Sequence, residues 1–358
     1  MGLCCGLVGL PSCGKTVIFN AITAAGVSSY NGSEMNQVVV NVPDQRVNKL
    51  VEMYHPRKVM TATLEVVDIP GLKALPEGNG RGLKLIGHIK DVDALLHVVR
   101  CFEDSNVPFE YETINPVRDI EIVDLELMTA DSATLEKKIT RLAKRVRAGD
   151  KDAIRETAHC EKVYNGIQQG VTARKQNLNP QELASVRECN LVSLKPVVYI
   201  ANVKSVENGD NPYLSALKQY AHDEGAEVIT VCGRDEADIS LLAPEERLEF
   251  LHDLGLEESS MERLLHVAYR TLGLVNFFTT GEDEVRAWTC QQGDKAPVAA
   301  GKIHTDMEKG FIRMDVIRCD DLLELGSEAA VAKAGKQRVE GRDYEIQDGD
   351  IVTVLFNR

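Results

Sequence analysis

The stretch Gly9-Leu10-Pro11-Ser12-Cys13-Gly14-Lys15-Thr16 decides how the rest of the chain is read. It fits the pattern G-x-x-x-x-G-K-[ST] in full. The apolar run Leu3 to Leu10 ahead of it reads as a buried strand, and Lys15 to Ala25 behind it as a helix. Glycines in such a turn let successive backbone N–H groups converge on phosphate oxygens, and the helix that follows turns its positive end towards them. Lys15 is expected to reach β- and γ-phosphates, and the Thr16 hydroxyl to hold Mg2+. One strand unit downstream, Asp68-Ile69-Pro70-Gly71 ends the apolar run Leu64 to Asp68. An acid at a strand end suits Mg2+ held through water, and the N–H of Gly71 suits a γ-phosphate.

Further apolar runs follow at Ala94 to Arg100, Pro196 to Asn202 and Ala226 to Cys232, with helical stretches such as Tyr213 to Glu224 between them. Buried strands alternating with helices imply an α/β fold with a parallel sheet covered on both faces. The alternation breaks between about Asp119 and Leu194. There Leu135, Ile139, Leu142 and Val146 recur at helical spacing, a seam suited to an antiparallel helical pair. Gly149-Asp150 reads as a dent in one long helix, and Gln181 to Ser193 as the returning one. From Leu274 onward, short alternating strands with Gly and Asp turns suggest a small mixed α/β or barrel-like domain. The expected borders are residues 1–118 with 195–273 for a P-loop G domain, 119–194 for an inserted helical arm, and 274–358 for the last domain.

The 358 residues carry 41 Lys plus Arg against 55 Asp plus Glu, a net charge of −14. That disfavours a uniform nucleic-acid coat, and no DNA partner is expected. No run approaches ~18 apolar residues, so no membrane span is expected, and the first residues read as a strand rather than a signal peptide. The nine cysteines lack metal-type C-x-x-C pairs, which favours free thiols in a reducing cytoplasm. Against the acidic whole, seven basic residues fall between Lys137 and Lys151 with Asp150 as the one acid. They form either a solvated helix face or a surface for RNA phosphates. Cys13 sits beside backbone N–H donors and near Lys15, where a thiol pKa would fall, although an inert small residue is the plainer reading. His88 and His97 read as structural, and His304, flanked by Lys302 and Asp306, has no companion ligands for a zinc site.

Base selection turns on Asn202-Val203-Lys204-Ser205. A GTPase typically ends this strand in N-K-x-D, whose Asp accepts from guanine. Ser205 has no carboxylate, so adenine is expected to be accepted. Leu72 stands where a Ras-type switch has its water-orienting Gln, and leucine cannot orient water by hydrogen bonding.

With these residues the chain resembles the Obg-like ATPases, or YchF family, over nearly its whole length. The resemblance rests on Gly9 to Thr16, Val42-Pro43-Asp44 with Arg46, Val67 to Leu72, and Val98-Val99-Arg100-Cys101-Phe102-Glu103. It continues through Asn115-Pro116 with Asp119-Ile120-Glu121, Phe277-Phe278-Thr279, Glu284 to Thr289, Ala299 to Asp306, Glu308 to Arg313, and Asp348-Gly349-Asp350 to Asn357. It implies a G domain interrupted by a coiled-coil arm and closed by a TGS (β-grasp-like) domain. It also implies Mg2+-dependent hydrolysis of ATP in preference to GTP, and association with ribosomes, for which the arm and the TGS domain are the expected contacts. By position, Ser12, Cys13, Gly14, Lys15, Thr16 and Val17 would bind the phosphates together with Gly71. Thr16 and Asp68 would hold Mg2+, Lys15 would serve catalysis, and Asn202 and Val203 would face the base. Leu72 matches the family's apolar replacement of the catalytic glutamine.

The chain departs from the family at several points. Ser12 and Cys13 replace the usual Asn and Val, Gly32 replaces a switch threonine, Phe109 a loop histidine, and Ser205 a glutamate. The glycine-rich loop Gly78 to Gly82 is one residue shorter. These changes leave nucleotide binding in place, and they set up an alternative to the switch ATPase: a nucleotide-gated ribosome- or RNA-binding module with negligible hydrolysis.

Overall fold

The computed structural model describes residues 3–32, 36–70, 81–109, 111–205, 211–240, 242, 246–247 and 258–357. Its contacts divide the chain into two compact units, residues 1–40 with 65–264, and residues 41–64 with 265–358.

The first unit is built on a seven-stranded sheet. Its order is Val27–Gly32, Asn36–Asn41, Thr63–Asp68, Cys4–Val8, Ala94–Arg100, Val197–Asn202, Glu227–Val231. Pairing is parallel from Thr63–Asp68 across to Glu227–Val231. The first two strands form an antiparallel hairpin at the edge, which the sequence reading does not contain. Cys4–Val8, Ala94–Arg100 and Val197–Asn202 are buried at every position, as strands covered on both faces must be. Parallel pairing brings the C-terminal ends of these three strands to one edge, where the glycine turn after Val8 meets Asn202.

The arm begins where Asn115 caps the helix Pro116–Arg147, its side chain accepting from the Arg118 N–H, with Pro116 in the first turn. Here the structure corrects the sequence reading. Gly149, at φ +78°, is the hairpin turn itself, and Asp150 caps the returning helix Lys151–Gln168 by accepting from the Asp152 and Ala153 N–H groups. A left-handed glycine followed at once by a strong N-cap ends one helix and starts the next. The segment expected as the return is broken into the helix Pro180–Val186 and the 3-10 turns Arg187–Cys189 and Val192–Leu194. The seam is as expected in kind: Leu135 is buried against Cys160, Val163 and Ile167 of the second helix, with Ile139 partly buried beside them.

The arm is rooted by buried charge. The Asp131 carboxylate, wholly buried, accepts from the Val192 and Ser193 N–H groups at 2.8 Å each. Arg174 grips both oxygens of Asp124 at 2.6 and 2.8 Å and pairs with Glu224, which also accepts from the Tyr199 hydroxyl. These ties join the arm to the sheet and explain why it does not separate as a unit of its own.

The second unit holds a six-stranded mixed sheet in the order Arg338–Glu340, Phe311–Arg318, Asp350–Phe356, Leu274–Thr279, Glu284–Gln291, Lys58–Met60. Ala296, Ala299 and Ala300, on the helix Ala296–Ile303, pack with Phe277, Met314, Val316 and Val352. The border drawn from sequence shifts here, because residues 41–64 belong to this unit. Lys58–Met60 pairs in parallel with Glu284–Arg286. Asp44 caps the helix Gln45–Tyr54 and is held by Arg46, whose guanidinium also reaches Asp348 at 2.7 Å. The motif residues Asp44, Arg46 and Asp348 thus form one clamp.

Candidate functional site

The phosphate turn is shaped by conformations that only certain residues reach. Gly9 has φ +148°, and a Cβ there would stand 2.5 Å from the Val98 carbonyl oxygen. Gly14 has φ +102°, and a Cβ there would stand 2.1 Å from Nδ2 of Asn202. Both positions require glycine. Ser12, at φ +60°, is a left-handed residue that has a side chain, a conformation costing an L-residue about 1 kcal/mol or more.

Around this turn the expected residues divide into two groups. On one side a cavity of about 440 Å3 is lined by Pro11, Ser12, Gly14, Lys15, Thr16, Val17, Asp68 and Pro70. On the other a cavity of about 360 Å3 is lined by Ser12, Gly14, Val17, Phe102, Asp104, Val107, Asn202, Val203, Lys204, Cys232, Gly233 and Arg234. Ser12, Gly14 and Val17 line both, and Val17 is 41% exposed although apolar. The first cavity is lined by the Ser12 and Thr16 hydroxyls, the Lys15 ammonium and the Asp68 carboxylate, and the second meets Asp104, Lys204 and Arg234. The second is walled largely by apolar and backbone surface, the form that suits a ring system with a few polar contacts.

Lys15 is buried, and its ammonium donates to the carbonyls of Gly9 at 2.8 Å and Leu10 at 2.9 Å. Of its three N–H donors one remains for a phosphate. Thr16 is exposed at the first turn of the helix Lys15–Gly26. Asp68 ends its strand at the same cavity; burial raises its pKa above the ordinary carboxylate value, and the Lys15 charge opposes that shift. A hydroxyl and a carboxylate facing one cavity fit a hard divalent cation such as Mg2+, which takes one or two protein oxygens and completes its shell with water and phosphate. Among the described residues no three His, Cys, Asp or Glu side chains gather into a dedicated metal cage.

Asn202 is a structural tie as well as a lining residue. Its Nδ2 donates to the Cys13 carbonyl at 2.9 Å, and its Oδ1 accepts from the Gly233 N–H at 3.2 Å. Val203, next to it, is 4% exposed. Cys13 lines neither cavity. It is buried, and that burial pushes its thiol pKa up despite the nearby Lys15, so the expectation of a lowered pKa is corrected. All nine cysteines are buried and free. Gly71, Leu72 and the loop from Gly78 to Gly80 lie outside the described residues. Gly32 ends the edge strand Val27–Gly32.

Sequence reasoning missed the wall formed by Phe102, Asp104 and Val107, and missed Cys232, Gly233 and Arg234 after the last strand. The only hint was a buried-looking strand that ends in Arg100. Phe109 stands 4.9 Å from the Arg100 guanidinium and 6.0 Å from that of Arg118. On the arm, Lys138 leaves the basic face. It is 4% exposed, paired with Glu156 at 2.6 Å and donating to the Ser185 carbonyl. The other six basic residues are exposed, with Arg145 tied to Asp150. His304 caps a helix through Nδ1, and His97 is buried in its strand.

A parallel sheet whose first strand enters a glycine turn and helix, with a lysine inside that turn and a carboxylate at the neighbouring strand end, defines a P-loop nucleoside-triphosphate hydrolase. The comparisons agree and narrow the class. The family model described as "50S ribosome-binding GTPase" matches residues 4–140, and that of the YchF GTPase C-terminal region, described as "Protein of unknown function", matches residues 274–357. Proteins named "Ribosome-binding ATPase YchF" from Haemophilus ducreyi and Bacillus subtilis are 44% and 42% identical, each aligned over 100% of both chains. The solved Schizosaccharomyces pombe YchF GTPase is 32% identical and superposes with a TM-score of 0.87 over 99% of this chain and 98% of that one. The chain belongs to the YchF family.

Proposed function

We propose that this chain is a Mg2+-dependent ATP-hydrolysing switch that associates with ribosomes in the cytoplasm, with ATP preferred over GTP. The observation that carries the reading is the pair of cavities meeting at Ser12, Gly14 and Val17, one lined by the Lys15 ammonium, the Thr16 hydroxyl and the Asp68 carboxylate and the other largely apolar. In this reading the N–H groups of residues 12–17 and the Lys15 ammonium receive the phosphates, with Gly71 at the γ-phosphate. Thr16 and Asp68 hold Mg2+, which when bound offsets charge on the transferring phosphate. Asn202 and Val203 stand at the base, and Ser205 supplies no carboxylate for guanine. Catalysis is then positional and electrostatic, with Lys15 as the cation the chain itself brings to the transferring group. The name of the bacterial relatives supports both the nucleotide and the ribosome. The exposed residues Lys137, Arg141, Lys144 and Arg147 are the contact we assign to rRNA phosphates, and the C-terminal unit, which we read as a TGS domain, is the second contact.

A second reading keeps nucleotide binding and removes turnover. It is favoured by Phe109, an apolar ring held against two guanidinium groups, where the family has a histidine. Calorimetric titration of ATP and GTP with Mg2+, followed by single-turnover hydrolysis, separates the two. Tight ATP binding with turnover supports the switch, and binding without turnover supports the module. Lys15→Ala is expected to abolish triphosphate binding and leave the far-UV circular dichroism unchanged. Unaltered ATP affinity in that variant would refute the assignment of the site.

A further inference from the structure

Arg100 closes the central strand Ala94–Arg100 and is 2% exposed. Burial holds its guanidinium pKa below the ordinary arginine value. Among the described residues no carboxylate lies within ion-pair distance of it, although Asp104 and Asp119 act on its charge from further off, so its hydrogen bonds go to backbone carbonyls.

Those bonds are directed at a single loop. Nε donates to the Phe102 carbonyl at 3.2 Å, Nη1 to the Val107 carbonyl at 3.3 Å, and Nη2 to the carbonyls of Asp104 at 3.3 Å and Val107 at 3.4 Å. The rings of Phe102 and Phe109 stand 4.5 and 4.9 Å from the same guanidinium. One planar fork therefore meets three backbone carbonyls and two ring faces of the segment 101–109. A lysine, with a point charge and no plane, cannot make this set. The loop so gathered presents Phe102, Asp104 and Val107 to the largely apolar cavity. Two outside ties hold the rest of it: Asn211 donates to the Cys101 carbonyl at 2.8 Å, and the Tyr213 hydroxyl donates to Glu103.

We infer that Arg100 is a positioning residue for the nucleoside half of the site. It folds segment 101–109 into the wall that a base and ribose meet, with Phe109 stacked on it as a structural partner. It therefore sets affinity for the nucleoside without acting on the triphosphate. This rests on the nucleotide reading above.

The test is titration of ATP and of inorganic triphosphate, each with Mg2+, into the wild-type chain and into Arg100→Gln, Phe109→Ala and Lys15→Ala. Arg100→Gln is expected to weaken ATP by about tenfold or more, and Phe109→Ala by about threefold. Both should leave inorganic triphosphate within about twofold, because its contacts end at the phosphate turn. Lys15→Ala should lose both ligands. Unchanged ATP affinity in both loop variants, or equal losses of ATP and inorganic triphosphate, overturns the inference. Should Arg100→Gln fail to fold, the same split in Phe109→Ala decides it. A wild-type chain that binds neither ligand overturns the nucleotide reading and this inference with it, whereas wild-type binding with equal losses overturns this inference alone.

Discussion

Truncation of Asn202 to alanine tests whether this residue holds the phosphate turn or reads a ligand. Its amide is 6% exposed and committed at both ends, to the Cys13 carbonyl at 2.9 Å and the Gly233 N–H at 3.2 Å. There is no slack around it, since even a methyl on Gly14 would stand 2.1 Å from Nδ2. Alanine leaves a buried carbonyl and a buried N–H without partners, each costing about 1–3 kcal/mol. The expected loss is therefore about 3 kcal/mol of folding stability. A turn released from the end of Val197–Asn202 must also be ordered again when ligand binds, which should weaken Mg2+-ATP by about tenfold. Urea unfolding followed by far-UV circular dichroism reads the first effect, with an unchanged slope confirming that stability alone has moved. Calorimetric titration reads the second. Asn202→Asp keeps an acceptor for Gly233 but sets a carboxylate against the Cys13 carbonyl, so it should be at least as damaging. An affinity loss in Asn202→Ala with stability lowered by less than about 1 kcal/mol would refute the argument, because it would make Asn202 a reader of the ligand and not a tie.

Three further outcomes are expected. Ser12→Asn, which places a residue more tolerant of the left-handed conformation at φ +60°, should raise stability by up to about 1 kcal/mol; a lower melting temperature would show that the serine is not strained. Burial lowers the His97 pKa from 6.5 to about 3, so the unfolded chain takes up this proton first as pH falls. The neutral ring's contribution is complete above pH 6.5 and is lost as pH drops towards 3, at roughly 1 kcal/mol per pH unit. His97→Phe should flatten the pH dependence of unfolding in that window, and an unchanged slope would contradict the assignment. Charge reversal at Lys137, Arg141 and Lys144 should reduce co-sedimentation with ribosomes and make the remainder less sensitive to salt. Lys138→Met should leave co-sedimentation unaltered, since that ammonium is already spent on Glu156; no change in the triple reversal would return the arm to a solvated face.

Much of this protein was legible in order of sequence distance. The turn from Gly9 to Thr16, the strands ending at Asp68, Arg100 and Asn202, and the apolar seam beginning at Leu135 are written in local pattern. Strand burial, glycine placement and helical spacing each act over a few residues. The same local logic misplaced the arm's reversal, because Gly149-Asp150 can dent a helix or end it, and the choice depends on the packing of Cys160, Val163 and Ile167 against Leu135. What only the tertiary structure decided are the ties between distant residues. Parallel pairing sets Asn202 beside Cys13 on one side and Gly233 on the other. Residues 41–64 join a second sheet through Lys58–Met60 and the Arg46–Asp348 clamp. Lys138 disappears from a basic run that reads as uniform in the sequence, and Arg100, an ordinary strand-end residue by pattern, becomes the centre of a cavity wall. A one-dimensional pattern records which side of an element is buried. Which buried polar group meets which partner is settled by sheet order and helix docking, where each donor and acceptor must be matched across the fold.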